Sequence, residues 1–172
     1  MGSLHKIALG GGCHWCTEAV FQSLKGVHIV EPGFVASNSE NDTFSEAVIV
    51  HFDENVISLK ILITVHLYTH ESTSQHTMRN KYRSAVYYFN EKDKNKSTQI
   101  LMDLQADFDK KIITGVLPFK TIKLSDEIFH NYYFSDKEKP FCKTYITPKL
   151  KFLLDKFSDY VEEKKVCCAS KV

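Results

Sequence analysis

Apolar and polar positions divide the chain into short elements separated by glycines and polar clusters. Leu4 to Leu9 reads as a short buried strand. Gly10, Gly11 and Gly12 break it and open a helix from about Trp15 to Leu24, in which Ala19, Val20 and Phe21 are apolar. Gly26 ends that helix. Val27 to Phe34 and Ala47 to Phe52 follow as β-branched and aromatic strands on either side of the polar stretch SNSEND. Ser58 caps the next helix, whose Leu59, Leu62, Ile63, Val65, His66 and Leu67 recur near helical spacing, and Ser84 to Phe89 reads as another strand. The order βαββαβ predicts an α+β fold of the ferredoxin-like, split βαβ type. Right-handed crossovers then place both helices on one face of an antiparallel sheet. Beyond this core, Lys94 to Lys111 reads as a long amphipathic helix and Phe119 to Leu124 as a strand. Pro148 to Val161 reads as a C-terminal helical extension with Leu150, Leu153, Leu154 and Phe157 apolar.

No internal repeat or linker interrupts the 172 residues, and 43% hydrophobic residues suffice for one continuous core. Residues 1–160 are therefore expected to form a single domain, with residues 161–172 as a flexible tail carrying Cys167 and Cys168. Lys and Arg number 22 against 21 Asp and Glu, and no basic face stands out, so nucleic acid is not an expected partner. No apolar run approaches the roughly 20 residues of a membrane span, which predicts a soluble, cytoplasmic chain, expected to be a monomer. Five cysteines, at 13, 16, 142, 167 and 168, form an odd set without regular spacing. That argues against a secreted disulfide framework and for thiol chemistry or inert burial.

The segment GGGCHWC at residues 10–16 is the strongest chemical signal. A strand, a glycine turn and a helix start would present Cys13 to backbone amides and to the positive end of the helix dipole, which favours thiolate. The alternative is a tight turn holding a buried cysteine. Cys16 lies one helical turn on, within reach for a disulfide after modest movement, and Cys-x-x-Cys is a redox spacing. Zinc would need a second ligand pair, for which the chain offers only Cys167 with Cys168 or scattered histidines. His66 and His70 are spaced i, i+4, but no metal and no cofactor is expected.

The stretch ALGGGCHWCTEAVFQSLKGV at residues 8–27 resembles the active-site segment of A-class peptide methionine sulfoxide reductases, which usually reads GGCFW, then Gly or Cys, then an acidic residue. Three further blocks are similar to that family in the same order: EAVIVHFDENVIS at 46–58, YRSAVYYF at 82–89, and DEIFHNYY with PFCKTYITPKLKF towards the end. The resemblance covers about residues 6 to 157. It implies that Cys13 attacks the sulfur of a methionine S-sulfoxide, free or peptidyl, or of a related small sulfoxide. Glu46, held neutral, would protonate the oxygen, Tyr82 would help hold it, and Trp15 would pack the methyl group. Cys13 would be left as a sulfenic acid, and a resolving thiol would close a disulfide. Cys16 is the first choice as resolving thiol, with Cys142 and then Cys167 or Cys168 as alternatives. Thioredoxin or another thiol reductant would restore the pair.

The chain also departs from that pattern. His14 replaces the family's Phe in the methyl cage, where an imidazole could support an ion pair near Cys13 or bind a more polar sulfoxide. Phe44 stands where the family carries a Tyr hydroxyl, and the loop before Glu46 is about ten residues shorter than the family's by motif spacing. Thr77 occupies the expected place of a substrate-anchoring Asp, while Arg79 and His76 are candidates to take a carboxylate. These changes spare the sulfur chemistry and touch recognition. The alternatives are thus the same fold and chemistry with altered substrate specificity, or a redox-sensing module without turnover.

Overall fold

A computed structural model describes residues 4–166. The first strand, β1 (His5–Gly10), is buried along its last four residues and shows the continuous apolar run of a strand covered on both faces. The first helix, α1 (His14–Gln22), starts directly after Cys13. The chain leaves it through Gly26 at φ +82, where an added Cβ would lie 2.8 Å from the Val56 side chain. Then come β2 (Val27–Ala36), β3 (Ser45–Phe52) and α2 (Leu59–Thr69), whose Ser58 cap accepts a hydrogen bond from the Ile61 N–H at 3.3 Å. They are followed by β4 (Ala85–Tyr88), α3 (Glu91–Leu104), β5 (Gly115–Pro118), β6 (Thr121–Leu124), α4 (Tyr132–Ser135), α5 (Thr147–Phe157) and α6 (Glu163–Val166).

The architecture is mixed α+β around a six-stranded sheet in the order β5-β4-β1-β3-β2-β6. β1 runs antiparallel to both β3 and β4, with Gly10 opposite Ala47 on one side and Ala85 on the other. That register brings the end of β1 and the starts of β3 and β4 to one edge, where the chemical residues gather. One face carries the main core, built from Ile7, Leu9, Val48 and Val50 of the sheet and from residues of α1, α2, α3 and α5. The other face carries a smaller cluster around Val35, Ile49 and Tyr87, closed by Phe89, Leu117, Phe119 and Ile122 rather than by a helix.

Several expectations are corrected. The sheet is not purely antiparallel, because β5 joins β4 in parallel. β5 escaped the sequence pattern because Gly115 and Pro118 are poor strand residues, tolerated at a sheet edge. The helix expected at Lys94–Lys111 is shifted. Asn90 caps it by accepting from the Asp93 N–H at 2.8 Å, and it closes at Leu104. Gln105 prevents further extension: its amide donates to the Lys110 carbonyl and accepts from the Ile112 N–H. The last long helix ends at Phe157 and is preceded by a π-helical turn, Cys142–Ile146.

The loose tail expected from residue 161 is not met over residues 161–166. Val161 and Val166 are fully buried, and the Glu162 N–H donates to the Ser23 carbonyl at 2.8 Å. Cys167 and Cys168 lie outside the described residues. Among the described residues no helix is long and apolar enough to cross a membrane.

Candidate active site

Two glycines of the turn are fixed by packing: an added Cβ at Gly10 would lie 3.0 Å from the carbonyl oxygens of Arg83 and Glu46, and one at Gly11, with φ +155, would collide with the His70 ring, whereas Gly12 faces open space. His66 donates from Nε2 to the Gly10 carbonyl at 2.9 Å, and burial holds this imidazole neutral. The adjacent stacked His70, which burial drives down to a pKa of about 4, bridges the His66 carbonyl and Ser84 Oγ. Both histidines therefore serve as struts under the turn.

Cys13 sits half-buried at the N-cap of α1. Its thiol is lowered to a pKa of about 7, chiefly because the Cys16 thiol donates a hydrogen bond to it. Desolvation and the Glu46 carboxylate oppose the shift, while the backbone N–H groups of Trp15 and Cys16 assist. The helix start thus contributes as expected, but the neighbouring thiol contributes more. Cys16, 5% exposed, is pushed far up by the same hydrogen bond and by burial, so it remains the protonated partner. Cys142 is fully buried in the main core, and burial raises its thiol too.

Glu46, at the start of β3, is 7% exposed. Its backbone N–H and the Ser45 hydroxyl both donate to the Lys81 carbonyl at 2.9 Å, which ties β3 to the Lys81–Tyr82 segment. Oε2 accepts the His14 backbone N–H at 2.9 Å and lies 3.0 Å from His14 Nδ1; Oε1 faces Lys81 Nζ at 3.8 Å. Burial pushes this carboxyl up, but the His14 donors and Lys81 outweigh it and hold it below the usual carboxylate range. The resting carboxyl is therefore ionised rather than held neutral.

His14 turns towards Glu46. It is 6% exposed, its Nε2 lies 3.2 Å from Ser125 Oγ, and its ring meets Phe34 edge to face. Trp15 stacks on Tyr132 with centroids 4.1 Å apart and planes 7° off parallel, flanked by Phe129 and Phe141. Glu18 supports that stack by accepting the backbone N–H groups of Asn131 and Tyr132, each at 3.1 Å. The sequence assigns neither Tyr132 nor Glu18 a role: Tyr132 lies in the DEIFHNYY block and Glu18 in the 8–27 segment, where the family carries an acidic residue.

A cavity of about 880 Å³ opens beside the thiols, lined among others by Cys13, Cys16, Tyr82, Tyr145, Lys149 and Phe152. His14, Trp15 and Glu46 lie outside its wall. Phe44 stands at half exposure before β3, and Thr77 opens an exposed 3-10 turn. Arg79 is not available to a substrate carboxylate. Its guanidinium is buried and donates to the carbonyls of Ser74, Gly11, Tyr82 and Glu71. His76 Nδ1 likewise accepts the Met78 N–H as a cap.

A thiol ionising near neutrality, a protonated thiol one turn away and a buried carboxylate together define a thiol-based oxidoreductase site. The sequence profile of the family described as peptide methionine sulfoxide reductase matches residues 5–161. The peptide methionine sulfoxide reductase MsrA of Saccharolobus solfataricus is 30% identical over 168 residues, covering 90% of this chain and 95% of that protein. Among solved structures, Mxr1 from Saccharomyces cerevisiae in reduced form superposes with a TM-score of 0.69 at 21% identity, over 83% of this chain and 91% of its own. Mxr1 in complex with Trx2 gives a TM-score of 0.60 at 23% identity, over 73% and 83%. The chain belongs to the peptide methionine sulfoxide reductase family.

Proposed function

We propose that this chain reduces methionine S-sulfoxide, free or within peptides, or a related small sulfoxide, to the thioether. The observation that carries the reading is that Cys13 and Cys16, one helical turn apart, both line an open cavity, which supplies a nucleophile and its resolving partner together. Cys13 thiolate attacks the substrate sulfur. The oxygen takes up a proton at the Glu46 side and passes to Cys13 as the thioether leaves. Cys16 then attacks the sulfenic acid, water departs, and a Cys13–Cys16 disulfide remains. Tyr82, in the cavity wall, helps hold the oxygen, and Trp15 packs the methyl group. Cys142 is disfavoured as resolving thiol by its complete burial.

The family profile supports the substrate class, and the yeast Mxr1 complex with Trx2 supports a thioredoxin as reductant. The strand order β4-β1-β3-β2 within the sheet supports the split βαβ plait, and the burial of Val161 and Val166 supports a single domain that runs to the end of the described residues. The test is incubation with free and peptidyl methionine S-sulfoxide plus dithiothreitol, followed by mass spectrometry of the oxidised protein. Methionine release and a Cys13–Cys16 link are expected. Turnover of neither substrate, or undiminished turnover by Cys13→Ser, overturns the reading.

A further inference from the structure

Reducing a sulfoxide consumes a proton at its oxygen, and the resting Glu46 has none to give. Two donors of one residue face Oε2, and an ammonium faces Oε1. A carboxylate so placed can deliver a proton only after taking one up from a neighbour that carries it. The nearest titratable atom is His14 Nδ1 at 3.0 Å, buried and at ion-pair distance. Oε2 also accepts the His14 backbone N–H, and Nδ1 makes no hydrogen bond of its own in this conformation.

The other ring nitrogen is arranged to let the imidazole change charge without moving. Nε2 faces Ser125 Oγ at 3.2 Å, and a hydroxyl can donate to a bare nitrogen or accept from a protonated one. The ring is confined by Phe34 on β2 and by Trp15 on its own helix. The titratable groups around it are Glu46 from β3, Lys81 behind Glu46, and Glu18 and Cys13 on or beside α1. His130 completes the set, donating from Nε2 to the Ser125 carbonyl at 2.8 Å.

We propose that His14 and Glu46 work as one proton-carrying pair, in which His14 holds the proton at Nδ1 and Glu46 passes it to the sulfoxide oxygen. His14 is thus a positioning and proton-supplying residue that does not itself touch substrate. The proposal deepens the sulfoxide reductase reading and rests on it. As Cys13 attacks, the sulfur–oxygen bond of the substrate breaks, a Cys13 sulfur–oxygen bond forms, and two electrons pass from Cys13 to the substrate sulfur. The proton that makes the product a sulfenic acid leaves His14 neutral and Glu46 ionised. Solvent restores the proton in the next cycle.

The test is single-turnover reduction of methionine S-sulfoxide across pH 6 to 10 by wild type and by His14→Asn, whose amide can still donate to Glu46 but cannot titrate. Wild type should lose rate at alkaline pH, where the pair no longer carries a proton. The variant should fall about 100-fold at pH 7.5, without that alkaline decline, and with KM and the Cys13 alkylation profile unchanged. A variant that keeps the wild-type rate and profile overturns the pair. Inactivity of wild type itself overturns the reductase reading instead. If the variant does not fold, His14→Gln is read in its place by the same measurements, and a wild-type rate and profile there overturns the pair.

Discussion

The acidity of Cys13 depends on a hydrogen bond from Cys16, so chemistry at position 16 should be readable at position 13. Iodoacetamide modification of Cys13 is expected to rise with pH through about 7, because only the thiolate reacts. Cys16→Ser keeps a donor and should leave that midpoint nearly in place. Cys16→Ala removes it and should move the midpoint upward, so that modification at pH 6 slows about tenfold for every whole pH step the midpoint climbs. An unmoved midpoint in Cys16→Ala would show that the helix amides alone ionise Cys13. At this scale the sequence revealed the residue types but not their orientation. Cys13, Cys16 and Glu46 were legible because they head motif blocks. The contact of His14 with Glu46 spans 32 residues and forms only when the end of β1 meets the start of β3. Arg79 was misread for a similar reason: charge suggests a ligand site, and nothing in the local sequence shows that four backbone carbonyls already occupy the guanidinium.

The elements under the site predict how it responds to acid and to substitution. His70 is buried, neutral in the folded chain down to about pH 4, whereas an ordinary histidine gains its proton near 6.5. Between those values the unfolded chain binds the extra proton, so stability should be full above pH 6.5 and fall as pH drops towards 4. The loss from this residue is about 3 kcal/mol. Urea unfolding of wild type and His70→Gln checks it: the variant's midpoint should depend less on pH in that window. Arg79→Ala should lower stability and slow reduction of neutral and anionic sulfoxides alike, because the guanidinium braces the loop and the Gly11 carbonyl. A selective loss of anionic substrates in a substrate panel would return Arg79 to a binding role. Elements with clear caps or β-branched runs, such as α2 behind Ser58 and β3, were legible in advance. The π-helical turn at Cys142–Ile146 was not, since no local residue signals it.

At the scale of the molecule, the main core is closed by residues far apart in sequence. Leu24, at the end of the first helical segment, bridges to Val161, and the Lys25 N–H donates to the Tyr160 carbonyl at 2.8 Å. Val161→Ala and Val166→Ala should each cost about 1–2 kcal/mol, from two lost carbon groups and the space they leave. Thermal unfolding measures this, and a change within error would mean that the chain end adds nothing to the core. The polar run between Val161 and Val166 reads as a tail because only two of six positions are apolar, yet both are fully buried. Pattern alone could not show that for Val161, because its bridge partner Leu24 lies more than a hundred residues upstream.

Trp15 is the chain's single tryptophan, and it stands between Cys13 and Cys16 in the first helical turn. Its ring lies flat against Tyr132. The indole emission of the whole protein therefore originates next to these two cysteines. Oxidation, closure of the sulfur pair and renewal by a reductant should each alter its intensity or colour. The enzyme carries its own optical gauge of turnover, legible in real time without a dye.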